Sequence, residues 1–250
     1  MVCIDLTGKV AVVTGGGQGI GAAIVRALHR AGASVAVNFL PDTAGSNRER
    51  ARQLVGELGD RCEAFPADVR ELQQMQSMFT SVIDHFKRCD ILVNNAGILR
   101  DRTIKKMSQA EWQDVMDTNL TGVFNACKAA AETLADGGRI VSISSIAASV
   151  GFFGQSNYAA AKAGVSALTR VLSRELASRR INVNAVAPGV VLTEMGQSIP
   201  PEARAQMLTS IPLGRFGEVE EIAGAVLLLC SELASYITGQ TIHVNGGWYA

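Results

Sequence analysis

The chain has 250 residues, enough for one α/β domain or two small ones with a full core. Hydrophobic residues make up 48% and aromatics only 5%, so the apolar share is Ala, Val, Leu and Ile, which suits buried parallel strands covered by helices. Lys plus Arg and Asp plus Glu number 23 each, and a formal net charge of zero is poor footing for a nucleic-acid binder, which needs clustered cations.

The five cysteines, Cys3, Cys62, Cys89, Cys127 and Cys230, form no CxxC pair and read as reduced thiols of a cytoplasmic protein. The three histidines, His29, His85 and His243, lie near neither one another nor a cysteine, so no metal site is expected. The first residues lack a signal pattern, and no apolar run reaches the ~18 residues of a membrane span. No membrane or nucleic-acid partner is therefore expected.

Taken in order, the first predicted element is a strand over Val10–Thr14, followed by Gly15-Gly-Gly-Gln18-Gly19-Ile20-Gly21 and a helix over Gly21–Arg30. Glycine permits the tight turn and lets backbone approach a phosphate. The helix N-terminus then offers free N–H groups and a positive dipole end to a pyrophosphate. The spacing Gly-x-x-x-Gly-x-Gly differs from the commoner Gly-x-Gly-x-x-Gly fingerprint and gains force from the strand before and the helix after it. The second strand, Ser34–Phe39, ends in Asn38-Phe39-Leu40 with no acid before Asp42, where an Asp or Glu would bind the ribose hydroxyl of NAD. Arg48, Arg50 and Arg52 follow. Missing acid and nearby arginine favour the 2′-phosphate of NADP over NAD, although the arginines also fit a solvated helix face.

Further strands are predicted over Cys62–Phe65, Ile91–Asn94, Ile140–Ser144, Ile181–Ala187 and Thr241–Val244. Between them lie helical stretches over Leu72–Phe86, Glu111–Leu134, Tyr158–Ser178 and Val219–Cys230. This alternation implies parallel pairing with right-handed crossovers. The expected fold is α/β: a single doubly wound Rossmann-type domain spanning 1–250, with a seven-stranded parallel sheet and helices on both faces. The stretch Gly189–Gly217 interrupts the rhythm, carries Pro200, Pro201 and Pro212, and reads as a lid over a substrate site.

Tyr158 and Lys162 are four residues apart on a helical segment and so share a face. A free Tyr has a pKa near ~10, and an adjacent ammonium lowers it by stabilising the phenolate. Such a Tyr can give a proton to a carbonyl oxygen that is becoming an alkoxide. Ser145 ends the strand before it, where open parallel sheets keep their sites, and could hydrogen-bond the same oxygen.

Together these residues resemble the short-chain dehydrogenase/reductase family along almost the whole chain. The matching pieces are Thr14–Gly21, Asp68-Val69, Asn94-Asn95-Ala96-Gly97, Asn119 in Thr-Asn-Leu, Ser145, Tyr158-Ala-Ala-Ala-Lys162, and Pro188-Gly189 followed by Thr193. Within the family the chain looks most like the 3-oxoacyl-acyl-carrier-protein and acetoacetyl-CoA reductases. Glu111-Trp112, Gly154-Gln-Ser-Asn-Tyr158 and Ile211–Gly217 carry part of that likeness.

The resemblance implies that Ser145 polarises the carbonyl, Tyr158 is the general acid, Lys162 lowers its pKa and holds the nicotinamide ribose, and Asn119 holds a water linked to Lys162. It implies a cofactor site made of Gly15, Gln18, Gly19, Ile20, Gly21, Asn38, Asp68, Val69, Asn94, Ala96, Gly97, Tyr158, Lys162, Pro188, Gly189, Val191 and Thr193. Asn94 also fits a polar brace between strands. The resemblance further implies a cytoplasmic homotetramer of fatty-acid biosynthesis, packed partly through the small residues Ala159–Gly164.

One departure concerns Asp136, where carrier-protein reductases often have a basic residue; its charge would repel an acidic carrier, whereas Arg179 keeps another basic position. The expected activity is NADPH-dependent reduction of a 3-oxoacyl thioester, on carrier protein or CoA, with Arg100–Lys106 facing CoA phosphates. The alternatives are an NAD(P)-dependent dehydrogenase of a sugar, polyol or other secondary alcohol, and a nucleotide-sensing binding protein without turnover.

Overall fold

A computed structural model of the chain describes residues 4–191 and 201–250. Thr193 and part of the expected lid lie outside the described residues. Seven strands form one parallel sheet in the order β3-β2-β1-β4-β5-β6-β7. They are β1 (Val10–Val13), β2 (Ser34–Phe39), β3 (Cys62–Pro66), β4 (Ile91–Asn94), β5 (Arg139–Ile143), β6 (Asn182–Pro188) and β7 (Thr241–Val244). Each lies within a residue or so of its predicted span. The strand order reverses direction between β1 and β4, and the crevice beyond the carboxyl ends of those two strands is where such sheets bind ligands.

From β1 to β6 the β-branched strand residues are buried on both faces, as a doubly covered parallel sheet requires, while the edge strand β7 is partly exposed. Val13, Val35, Val37, Ile91, Val93 and Val141 pack with helices α1 (Gly19–Arg30), α2 (Ser46–Leu58) and α9 (Val219–Cys230). On the other face Val12, Ala36, Leu92 and Ile140 meet α3 (Leu72–Phe86), α5 (Gly122–Thr133) and α7 (Ser156–Glu175). The remaining helices are α4 (Gln109–Met116), the short α6 (Ala147–Val150) and α8 (Pro201–Thr209).

The structure departs from the sequence reading at three places. Residues 111–134 do not form one helix. Helix α4 starts at a capping box between Ser108 and Glu111 and gives way to a π-helical turn, Asp117–Thr121, before α5 continues. Helix α2, with its mostly polar surface, was visible in the sequence only as a charged face. The stretch 189–217, expected as a lid, has local order among its described residues: α8, and a bridge between Val191 and Gly217.

No helix is long and apolar enough to cross a membrane among the described residues. Cys62, Cys89, Cys127 and Cys230 are free and buried.

Candidate active site

The glycine loop lies directly against the segment that follows β4. A Cβ on Gly15 would sit 3.0 Å from the Ala96 Cα, and one on Gly21 would sit 2.4 Å from the Gly15 carbonyl oxygen. Gly15 and Gly19 also have positive φ, at 60° and 53°. Two residues outside the expected site list lock this junction. The Thr14 hydroxyl accepts from the Asn95 and Ala96 amides at 3.0 and 3.1 Å, and Asn95 Nδ2 donates to the Thr14 and Gly15 carbonyls at 3.0 Å each.

Helix α1 begins at Gly19 with Gln18 as its N-cap, and no side chain caps it. Its first-turn N–H groups are thereby left for an anion. The cradle that a Cβ would fill and this open helix start fit the pyrophosphate of a dinucleotide.

Three expected cofactor residues have their side chains committed within the chain. Asn38 is buried and donates to the Phe65 and Ala67 carbonyls at 3.3 and 3.1 Å, while its oxygen faces the Gly15 amide at 3.4 Å. It braces β2 and β3 under the loop and does not reach outward to a ribose. Asn94 Nδ2 donates to Ser142 Oγ at 3.1 Å and Cys127 Sγ at 3.3 Å, the brace that its buried strand position allows. Asp68 is bound by the Arg70 guanidinium, Nη2 to Oδ2 at 2.6 Å, and its carboxyl is held below the usual carboxylate range. The neighbouring Val69 is fixed from behind, because Asn125 donates to the Val69 and Arg70 carbonyls at 3.0 and 2.9 Å.

At the carboxyl end of β5, Ser145 Oγ accepts from the Ala147 amide at 3.1 Å. This leaves its own proton for another acceptor. Lys162 is buried and donates to the Ile143 carbonyl at 2.7 Å. Ser144 accompanies it, donating to the Lys162 carbonyl at 3.0 Å and meeting Ser166 Oγ at 2.9 Å, so β5 and α7 are tied at this level.

The Lys162 Nζ lies 5.6 Å from the Tyr158 ring centroid. Gly97 completes the group: a Cβ there would be 3.3 Å from Asn119 Oδ1 and 3.8 Å from Lys162 Nζ. Asn119 is fully buried in the π turn, and its amide is paired with the Ile98 backbone, accepting from N at 2.8 Å and donating to O at 2.9 Å.

Burial dominates the proton affinities. It pushes the Tyr158 phenol up to about 12, against the opposing hydrogen bond from Ser145, and the Asp101 charge adds to the rise. It pushes Lys162 down to about 8. Lys162 is not among the influences on the phenol in the chain alone; its ammonium donates to the Ile143 carbonyl.

Asn157, absent from the expected list, sets the helix start. It is fully buried, donates to the Arg100 and Glu111 carbonyls at 3.1 Å each, and accepts from the Tyr158 amide at 2.8 Å. Its signal in the sequence was its place in Gly154-Gln-Ser-Asn-Tyr158, one residue before the predicted helix. The loop between Ser145 and Tyr158 is also stacked on the C-terminal segment, with Phe152 and Trp248 ring centroids 5.3 Å apart.

Pro188, Gly189 and Val191 follow at the end of β6; a Cβ on Gly189 would be 2.9 Å from the Asn245 Cα. Of the small residues of α7, Gly164 serves the chain itself, since a Cβ there would be 2.9 Å from Leu120 and would hold α7 off the π turn, whereas Ala160 and Ala163 are exposed. Asp136 lies ahead of β5, at the opposite end of the sheet from Ser145, and Arg179 Nε pairs with it at 2.9 Å.

A family profile described as enoyl-(acyl carrier protein) reductase matches residues 15–249. The chain belongs to the short-chain dehydrogenase/reductase family. It is 48% identical over 246 residues to a 3-oxoacyl-[acyl-carrier-protein] reductase of Staphylococcus aureus, covering 96% of this chain and 98% of that protein. It is 42% identical over 248 residues to the protein of the same name from Vibrio cholerae, covering 98% and 99%. A solved short-chain dehydrogenase/reductase of Brucella melitensis, named glucose/ribitol dehydrogenase, superposes with a TM-score of 0.94 at 34% identity, covering 100% of both chains. This family member is an oxidoreductase that works with a nicotinamide cofactor.

Proposed function

We propose that the chain reduces the ketone of a 3-oxoacyl thioester to the 3-hydroxy form with NADPH. The observation that carries this reading is the grouping of Ser145, Tyr158 and Lys162 around the carboxyl end of β5, beside Gly97 and Asn119. Relatives that are 42% and 48% identical bear the name of that reaction.

The reduced nicotinamide supplies the hydride when bound. The residues of the chain do the rest. Ser145, with its oxygen already accepting from the Ala147 amide, donates a hydrogen bond to the substrate oxygen and keeps its proton. As the carbon accepts hydride and the C=O π bond opens, that oxygen takes the proton of Tyr158. Lys162, once turned from Ile143 toward the ribose and phenol, stabilises the phenolate left behind. Because the Asn119 amide is paired with Ile98, any linking water would be held by the backbone of the π turn or by the amide's remaining valences.

The cofactor is held by Gly15, Gln18, Gly19, Ile20 and Gly21 at the pyrophosphate, by Asp68 and Val69 at the adenine, by Asn94, Ala96 and Gly97 through their backbone along the adenosine side and ribose, and by Pro188, Gly189, Val191 and Thr193 at the carboxamide. NADPH is favoured over NADH because β2 ends without a usable acid. The carboxylate of Asp42 caps α2 instead, accepting from the Ser46 and Asn47 amides at 3.1 Å each.

The substrate enters under the stretch 189–217, which acts as a lid, and past the loop 100–106. In that loop Arg100 pairs with Asp114 at 3.6 Å and Arg102 with Glu111 at 3.2 Å, whereas Lys105 and Lys106 are exposed. These two lysines suit the phosphates of CoA. A homotetramer in the cytoplasm is part of the same proposal; exposed Phe124 and Val171 on α5 and α7, and Leu228 and Ile242 on α9 and β7, are apolar side chains that two subunit contacts would cover.

The test is steady-state kinetics on acetoacetyl-CoA, a 3-oxoacyl carrier protein, sugars and polyols, each with NADPH and NADH. The highest kcat/KM is expected with a 3-oxoacyl thioester and NADPH. Faster turnover of a sugar or polyol would overturn the substrate, and no turnover of any of them would turn the reading to a nucleotide sensor. Lys105→Glu with Lys106→Glu should raise the KM for acetoacetyl-CoA; an unchanged KM would remove the phosphate contact alone.

A further inference from the structure

The three arginines of α2 do not face the same way. Arg48 and Arg52 are one turn apart and share a face of the helix. They line a shallow pocket with Phe39, Val55, Glu63 and Pro66, on the β3 side of the helix. Arg50 is two residues from each, about 200° around a helix of 3.6 residues per turn, and so points the other way. Its guanidinium donates to the Gln18 side-chain oxygen, in the glycine loop.

Gln18 is the N-cap residue of α1, and its side chain does not cap that helix, so it is available for Arg50. The two elements are also close in their backbones: a Cβ on Gly17 would lie 3.3 Å from the Ala51 nitrogen. An ion pair between Arg26 of α1 and Glu57 of α2, at 2.5 Å, holds the far end of the same helix pair. The carboxylate of Asp42 is engaged with the α2 N-terminus, so it does not occupy the place where a ribose hydroxyl would look for an acceptor.

We propose that Arg50, held at the mouth of the glycine loop by Gln18, is the residue that reads the 2′-phosphate of the cofactor, and that Arg48 and Arg52 take no part in that choice. The inference rests on the NADPH reading above. Gln18 acts through Arg50 as a positioning residue: its side-chain oxygen presents the guanidinium beside the open N-terminus of α1, where the adenosine half of the cofactor would begin. A guanidinium meets a phosphate dianion with two parallel N–H bonds, which a hydroxyl cannot reproduce, so the contact discriminates NADPH from NADH. This assignment also explains how a chain with no basic residue at Gln18 itself, and none at Asn38–Leu40, can select the phosphorylated cofactor.

The test is fluorescence titration of the full chain with NADPH, NADH and 2′,5′-ADP, for the parent and for Arg50→Gln, Gln18→Ala, the double variant of these two, and Arg48→Gln with Arg52→Gln. Arg50→Gln should weaken NADPH and 2′,5′-ADP binding by about tenfold or more, the range for a lost charge-assisted hydrogen bond, and leave NADH binding within about twofold. Retained NADH binding also reports that the variant is folded. Gln18→Ala should weaken NADPH binding in the parent and add no further loss of NADPH-over-NADH preference once Arg50 is gone, the non-additivity that marks one acting through the other.

The Arg48 and Arg52 pair should leave the NADPH to NADH ratio unchanged. A parent that prefers NADPH while Arg50→Gln keeps that preference would overturn the assignment and leave the cofactor reading standing. A parent that binds NADH as tightly as NADPH would overturn both.

Discussion

Tyr158 and Lys162 meet opposite demands at the same place. The phenol must stay protonated until an oxygen beside it gains charge, and the ammonium must be charged when that happens. Burial works for the first, since a phenol pushed up to about 12 is fully protonated at neutral pH. It works against the second, since Lys162 is pushed down to about 8.

Tyr158→Phe should therefore cut kcat by about 10²–10⁴ while the Kd for NADPH stays nearly that of the parent. Equal turnover of the two proteins would end the role of Tyr158 as the acid. The pH dependence follows from Lys162. Its lowered pKa means that the charged form is present below about 8 and is lost as pH rises through that value. Reduction measured as kcat/KM against pH should fall on this alkaline side. In Lys162→Met the residual activity should lose that limb, and a parent profile that is flat through the same pH would contradict the assignment.

The elements that carry these residues are held by glycines and asparagines more than by charge. Gly21 is the tightest case, because a Cβ would lie 2.4 Å from the Gly15 oxygen and 2.6 Å from Asn95 Nδ2. Gly21→Ala must displace the glycine loop from the start of α1. It should lower stability by about 1–3 kcal/mol, as overpacking does, and weaken NADPH and NADH alike, measured by denaturant titration and by cofactor fluorescence. An effect on NADPH alone would mean that the loop serves the 2′-phosphate instead of the pyrophosphate. The same scale explains the π turn. It carries Asn119 inward onto Ile98, and the amide satisfies both backbone groups of that residue in the loop after β4.

In the molecule as a whole, the central strands of the sheet are almost fully buried, and the four described thiols are buried with them. Cys62 is pushed up to about 11 and Cys89, Cys127 and Cys230 to about 12, with burial as the first cause of each. Neither access nor thiolate is on offer to an alkylating reagent. Iodoacetamide at neutral pH should leave these four unmodified in the native protein, read by peptide mass spectrometry, and label them in denaturant. Labelling of Cys127 in the native state would show α5 opening away from β4, since Asn94 holds it across that contact.

Much of this was legible in the sequence because it depends on local spacing. Alternating β-branched runs and helical stretches predict a doubly covered parallel sheet, glycines at 15, 19 and 21 predict a strand–turn–helix that can approach a phosphate, and four residues between Tyr158 and Lys162 put them on one helix face whatever surrounds them. What escaped was decided at long range. The amides of Asn38 and Asn94 could have faced a cofactor or a neighbouring strand, and the register of β2 with β3 and of β4 with β5 turned both inward. The break in residues 111–134 left no mark in composition, because a π turn needs a buried partner such as Ile98 more than any residue pattern. Three arginines in five residues look alike in a sequence, and only the packing of α2 against α1 sets Arg50 on the glycine loop and its neighbours on the opposite side. The direction of the Tyr158 shift was likewise a tertiary matter: spacing brings Lys162 Nζ to 5.6 Å from the ring, but burial is the first cause of the shift, and the ammonium donates to the Ile143 carbonyl.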